Sequence, residues 1–227
     1  MQSVTGDAAS GTVSAHLLAG GGWSEMSYLT DDELGAIAAS GDLRAQLKFK
    51  TIVADPPWRT TTGPAGFGYG GSGHLKLKYP TMTIAEIKAL PVGELADEAA
   101  HLYLWTTNIL VRPAYEVVEA WGFKPSVLLT WAKNPIGIGL GDAFGITTEH
   151  VIFGHRGGLR PLRREPSTWW NWKRGRHSAK PEAFIDMVES VSPGPYLELF
   201  ARRNRLGWAT WGNEALNHVE LLTSSQP

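Results

Sequence analysis

The 227-residue chain contains no cysteine, which excludes a disulfide framework, a thiolate nucleophile and a Cys-type zinc site. Its seven histidines are scattered, and His150 and His155, five apart around a predicted strand, would point to opposite faces. No metal is expected. No Lys or Arg precedes Arg44 and no apolar run approaches membrane-spanning length. A secretory signal with a charged start and a membrane helix are thereby both excluded, and a soluble intracellular protein is expected. The glycines of 63–73 lack the following helix of a dinucleotide fingerprint and the Gly-Lys-Ser/Thr of a phosphate loop.

What the chain does have is 43% hydrophobic residues, enough for one packed core. Residues 1–24, rich in Ala, Gly, Ser and Thr, read as a flexible leader, and 25–227 as a single domain. The net charge of −1 hides an asymmetry. Six acids and no Lys or Arg lie in residues 1–43, leaving 21 basic against 16 acidic residues beyond. Between His155 and Lys180 stand Arg156, Arg160, Arg163, Arg164, Lys173, Arg174 and Arg176, with one acid, Glu165. Trp169, Trp170 and Trp172 are interleaved with them, a mixture that suits phosphates and unstacked bases. A solvated loop with its tryptophans tucked into the core is the alternative.

Thr30 to Glu33 and Thr83 to Glu86 have capping-box spacing and predict helix starts. Lys50-Thr51-Ile52-Val53-Ala54 is a β-branched run stopped by prolines, the pattern of a buried strand that delivers a loop. Strands are predicted over 101–105, 126–131, 149–154 and 196–201, with helices over 110–121 and from Pro181. This alternation predicts an α/β fold, Rossmann-like, with a mostly parallel central sheet flanked by helices. Ligands of such sheets sit beyond the strands' carboxyl ends. The long irregular stretches 59–78 and 157–180 read as functional loops.

Asp55-Pro56-Pro57-Trp58 is the sharpest feature. The exocyclic amine of adenine is a poor nucleophile because its lone pair is delocalised into the ring. A carboxylate and a backbone carbonyl that accept its two hydrogens favour a more tetrahedral nitrogen, ready to attack a methyl donor. Asp55 and the Pro56 carbonyl are placed for this, Pro57 stiffens the turn, and Trp58 offers a face to a base lifted from its stack. A strand-ending turn with Trp58 in the core is the other reading.

These residues, with Tyr196-Leu197-Glu198-Leu199-Phe200-Ala201-Arg202 and Trp211-Gly212-Asn213-Glu214 downstream, resemble the messenger-RNA adenosine methyltransferase seventy-kilodalton-subunit (MT-A) family. The resemblance covers roughly residues 42–216 and points to a small bacterial or phage member. It implies a class I methyltransferase fold with β-type motif order and S-adenosylmethionine as donor. It implies Asp55 near both the cofactor's amino group and the target amine, and Lys180 on the cofactor carboxylate. Read alone, Lys180 before Pro181 is an anion site at a helix start or a plain exposed lysine.

By the same resemblance Glu198, Phe200 and Arg202 approach the ribose, together with Asn204 or Arg205. Here Arg203-Asn204-Arg205 departs from the Pro-His-Asn of the eukaryotic branch. Asn213 and Glu214 match the ribose and adenine side, though Asn213 also suits a helix cap. Asp42-Leu43 resembles the family's Asp-Ile beside the cofactor adenine. Tyr79 resembles a residue that closes over the target amine, or is simply packed. Arg163, Arg164, Trp169, Trp170, Lys173, Arg174, Arg176 and His177 are the candidate nucleic-acid contacts.

The function expected is methylation of the 6-amino group of adenine in DNA, in a prokaryotic cytoplasm. Alternatives are the same reaction on RNA, a catalytically silent nucleic-acid-binding subunit, and transfer to a small-molecule or protein amine. A homodimer or a partner subunit is left open.

Overall fold

The computed structural model describes residues 48–59, 81–133, 144–174, 180–219 and 221. The expected leader over 1–24, the helix from Thr30 and most of the glycine-rich stretch lie outside them.

Strand β1 (Phe49–Ala54) is buried at every residue but one. Such a run belongs in the middle of a parallel sheet, covered on both faces. It pairs in parallel with β2 (Ala96–Thr106) and with β6 (Tyr196–Leu199). The remaining strands are β3 (Lys124–Ala132), β4 (Thr148–Arg156), β5 (Trp169–Trp170) and β7 (Trp208–Trp211), in the order β5-β3-β4-β2-β1-β6-β7. Only β4 runs against its neighbours, so its first residues share an edge with the carboxyl ends of the other strands. The expected mostly parallel α/β sheet is present.

Helix α1 (Ile84–Lys88) starts with the expected capping box: the Glu86 N–H donates to Thr83 Oγ1 at 3.2 Å and Glu86 Oε2 accepts from the Thr83 N–H at 2.6 Å. A one-turn α2 (Val92–Leu95) follows. Helix α3 (Val111–Ala120) buries Ala114, Val117 and Val118, an i, i+3, i+4 stripe. Val117 and Val118 each contribute about 1.5–3 kcal/mol by burial. Gly122, at φ +81°, takes the left-handed position that ends the helix. Helix α4 (Glu182–Val191) buries Phe184, Ile185, Met187 and Val188 against the other face of the sheet. Its cap is Pro181 itself, not a first helical residue as expected, so Lys180 lies ahead of the helix. No helix among the described residues is long and apolar enough to cross a membrane.

Candidate active site

A cavity of about 430 Å³ opens where β1, β2, β6 and β7 end and β4 begins. The loop after β1 forms its centre. The Trp58 N–H donates back to the Pro56 carbonyl at 2.8 Å, and Pro57 O accepts from the Met82 N–H at 2.8 Å. Two prolines and these bonds fix the loop. A carbonyl has two lone pairs, so Pro56 O retains one for a ligand. The Trp58 indole N–H donates to Trp105 O at 3.0 Å. With only 9% of its surface exposed, Trp58 belongs to the core as well as to the cavity wall.

Charges of alternating sign cross the site. Lys180 Nζ lies 2.9 Å from Asp55 Oδ2 and 3.2 Å from Glu149 Oε2, and Lys133 Nζ lies 2.7 Å from Glu149 Oε1. The Lys180 ammonium also stands 5.0 Å from the centre of the Trp105 ring. Burial pushes the Glu149 carboxyl up, but the Lys180 charge and the Lys133 hydrogen bond and charge outweigh it, holding its pKa below the ordinary value of 4.5. Burial likewise opposes the Lys180 ammonium, and the Asp55 and Glu149 carboxylates overcome it, raising its pKa above the ordinary 10.5.

The far wall comes from the ends of β6 and β7. Phe200 turns out of β6 at φ +63°, a left-handed conformation rare for a bulky residue, and its ring meets Trp211 edge-on at 5.3 Å. Strain of this kind clusters at ligand sites. The Ala201 N–H donates to Trp211 O at 2.9 Å. Gly212 explains itself here: a β-carbon on it would stand 2.1 Å from the Ala201 carbonyl oxygen.

The cavity thus gathers Asp55, Pro56, Pro57, Trp58, Lys180, Phe200, Arg202, Asn213 and Glu214 from the expected set. Others fall elsewhere. Asn204 does not line it; its amide donates to Thr210 Oγ1 at 2.9 Å and Leu216 O at 3.1 Å, pinning the segment that carries Asn213 and Glu214. That segment forms no helix among the described residues, so the cap reading of Asn213 fails. Arg205 reaches Glu182 Oε2 at 2.8 Å, which leaves Arg202 as the arginine on the cavity wall. Glu198 is beside the cavity, not in its lining. Burial pushes its carboxyl up, Arg205 pulls it down, Asp55 adds to the rise, and the net direction is upward.

The basic stretch divides. Because β5 runs parallel to β3, and β3 to β2 through two antiparallel steps, Lys173 and Arg174 emerge at the cavity edge of the sheet. The Leu162 N–H instead donates to Val191 O at 2.8 Å, at the end of α4 remote from Lys180. Arg163 and Arg164 are therefore at the opposite edge, and Arg163 pairs with Glu165 at 3.1 Å. Trp169 is exposed, whereas Trp170 stacks on Trp172 at 4.8 Å and packs toward the core. The Trp131 indole N–H donates to Trp172 O at 2.9 Å, which holds that pair against the core. Asp42, Leu43, Tyr79, Arg176 and His177 lie outside the described residues.

Glu149, Thr106 and Thr107 also line the cavity, with no signal for it in the sequence. None carries a local motif; only strand pairing brings them beside Asp55. Among the described residues no cluster of His, Asp and Glu could hold a metal ion.

Residues 49–214 match the family described as MT-A70. The type II methyltransferase M.MunI of a Mycoplasma species is 30% identical over 199 residues, covering 79% of this chain and 83% of that protein. The human N(6)-adenosine-methyltransferase catalytic subunit METTL3 is 28% identical over 77% of this chain. The human N(6)-adenine-specific methyltransferase METTL4 is 26% identical over 76% of it. The chain spans only 29% and 39% of the lengths of these two human relatives.

Proposed function

The chain belongs to the MT-A70 family, and from that premise and the cavity's geometry we propose that it methylates the 6-amino group of adenine in DNA. The observation that carries this reading is the Asp55–Lys180 pair, 2.9 Å apart, beside the Pro56 carbonyl in a cavity of about 430 Å³. S-Adenosylmethionine supplies an electrophilic methyl group on a sulfonium. The lining fits it: carboxylates for its ammonium, Lys180 for its carboxylate, Phe200 as an apolar wall, and Arg202, Asn213 and Glu214 as polar groups.

The chain's own residues do the rest. Asp55 and the remaining lone pair of Pro56 O accept the amine hydrogens and aim the nitrogen lone pair. The rigid Pro56-Pro57 turn presets both acceptors, so little reorganisation is left for the moment of transfer. As the methyl group passes to the amine nitrogen from the sulfonium, which is left as a neutral thioether, the Asp55 carboxylate takes the proton that the nitrogen gives up and that it already accepts. Trp58 and Met82 wall the acceptor side, and Lys173, Arg174 and the exposed Trp169 offer charge and an aromatic face to the strand.

DNA is favoured because M.MunI, whose name describes a type II methyltransferase, is matched over most of its length, and action at DNA in a prokaryotic cytoplasm rests on the same likeness. The test offers matched DNA and RNA oligonucleotides separately with labelled cofactor. Label in DNA with little in RNA is expected. The reverse overturns the substrate, and label in neither overturns the function.

Gly212→Ala should disturb the cofactor wall without touching Asp55. Overpacking at Ala201 costs about 1–3 kcal/mol, so calorimetry should show S-adenosylmethionine binding weakened about tenfold or more. Unchanged affinity would detach that wall from the cofactor.

A further inference from the structure

We propose that the hydroxyls of Thr106 and Thr107 read the ring nitrogens that flank the reacting amine and so select adenine as the acceptor, an inference that rests on the proposed function. Thr106 is only 3% exposed, and the Oγ1 atoms of both residues are buried with no hydrogen-bond partner among the described residues, although both residues line the cavity. A buried hydroxyl is ordinarily paired, and two adjacent orphans on a cavity wall mark a place that a ligand completes. Sheet order puts them at the end of β2, between Asp55 after β1 and Glu149 on β4.

The chemistry of the neighbouring groups leaves them a specific role. Asp55, Glu149 and the Pro56 carbonyl only accept. The Trp58 indole N–H is spent on Trp105 O, and the three donors of the Lys180 ammonium go to Asp55, Glu149 and, on the proposed function, the cofactor carboxylate. Adenine presents its amine between two acceptors, N1 and N7. Once Asp55 and Pro56 O take the amine hydrogens, a flanking nitrogen needs a donor, and rotation about χ1 lets a threonine hydroxyl supply one. Cytosine has an acceptor on only one side of its amine, and guanine places a carbonyl oxygen where Asp55 requires a donor. A hydroxyl on the N7 side rejects cytosine, which has a C–H there, and one on the N1 side rejects guanine, whose N1 carries a hydrogen.

Thr106→Val and Thr107→Val test this, because each keeps the side chain's shape while removing only the hydroxyl. Transfer is measured on one oligonucleotide of the polymer that accepts label, with adenine, 1-deazaadenine or 7-deazaadenine at the target position. At least one variant should lose roughly tenfold in kcat/KM on adenine. The deaza base lacking the matching nitrogen should slow the unchanged protein by a similar factor and slow that variant no further. Its melting temperature and S-adenosylmethionine affinity should be unchanged, and serine at the same position should restore turnover. Full activity of both valine variants on adenine, or losses that multiply with either deaza base, would overturn the inference. Transfer to no adenine by the unchanged protein would overturn the proposed function, and this inference with it.

Discussion

Asp55→Ala removes methyl transfer while the sheet still folds. The carboxylate accepts an amine hydrogen at the point where the nitrogen must become nucleophilic, and loss of one preorganised polar group of this kind costs about 10²- to 10³-fold in turnover. Asp55 follows β1 at the cavity, outside the apolar clusters that hold the sheet to its helices, so its removal leaves the packing in place. Asp55→Asn, which keeps an acceptor oxygen without the charge, should fall between the two. Single-turnover transfer with cofactor in excess separates the chemical step from binding. Near-normal turnover in Asp55→Ala would remove the residue from the reaction.

Lys180→Met acts on stability and binding together. It takes away the cation that stands between Asp55 and Glu149, leaving two carboxylates with Lys133 as the remaining cation on Glu149. Breaking a fully buried pair costs about 3–5 kcal/mol, and with Lys180 about a quarter exposed and therefore partly screened, about 2–3 kcal/mol is expected. The melting temperature should fall by roughly 4–12 °C for a chain of this size.

The pH dependence has a definite sign. The Glu149 pKa is lowered on folding, so its contribution is present above 4.5 and disappears as pH falls through the lowered value. The Lys180 pKa is raised, so its contribution is present below 10.5 and disappears as pH rises through the raised value. The deficit of Lys180→Met should therefore be largest near neutrality and shrink in acid, as the Glu149 carboxylate protonates. Adding Glu149→Gln should recover part of it. A deficit independent of pH, or no recovery in the double variant, would contradict the charge alternation drawn across the site.

The parts of this molecule that were legible in the sequence are those specified locally. Lys50 to Ala54 announced a buried strand because a central parallel strand tolerates few polar residues, and Thr83 with Glu86 announced a helix because both capping partners lie within one turn. The loop of Asp55 to Trp58 was legible for the same reason: four consecutive residues carry its geometry. Strand direction was not legible, since the reversal of β4 depends on pairing with β2 and β3 far away in sequence. β5 escaped because it is two residues long, and β7 because Trp-Ala-Thr-Trp carries none of the Val, Ile or Leu that marks β1 and β6.

Glu149 escaped for a related reason. A single carboxylate on a strand signals nothing until antiparallel pairing carries it to the edge where Lys180 waits. The basic stretch shows the opposite error. Its composition suggested one nucleic-acid surface, whereas the chain climbs from one edge of the sheet to the other between Leu162 and Trp169 and so separates Arg163 and Arg164 from Lys173 and Arg174.

The central claim is that this cavity moves a methyl group from S-adenosylmethionine to the 6-amino group of adenine. The most direct measurement incubates the protein and its Asp55→Ala variant with methyl-deuterated S-adenosylmethionine and random-sequence DNA, digests the DNA to nucleosides and weighs them by mass spectrometry. Deuterated 6-methyladenine from the unchanged protein and none from the variant is the predicted result. Label on a different base, or equal label from both proteins, would contradict it.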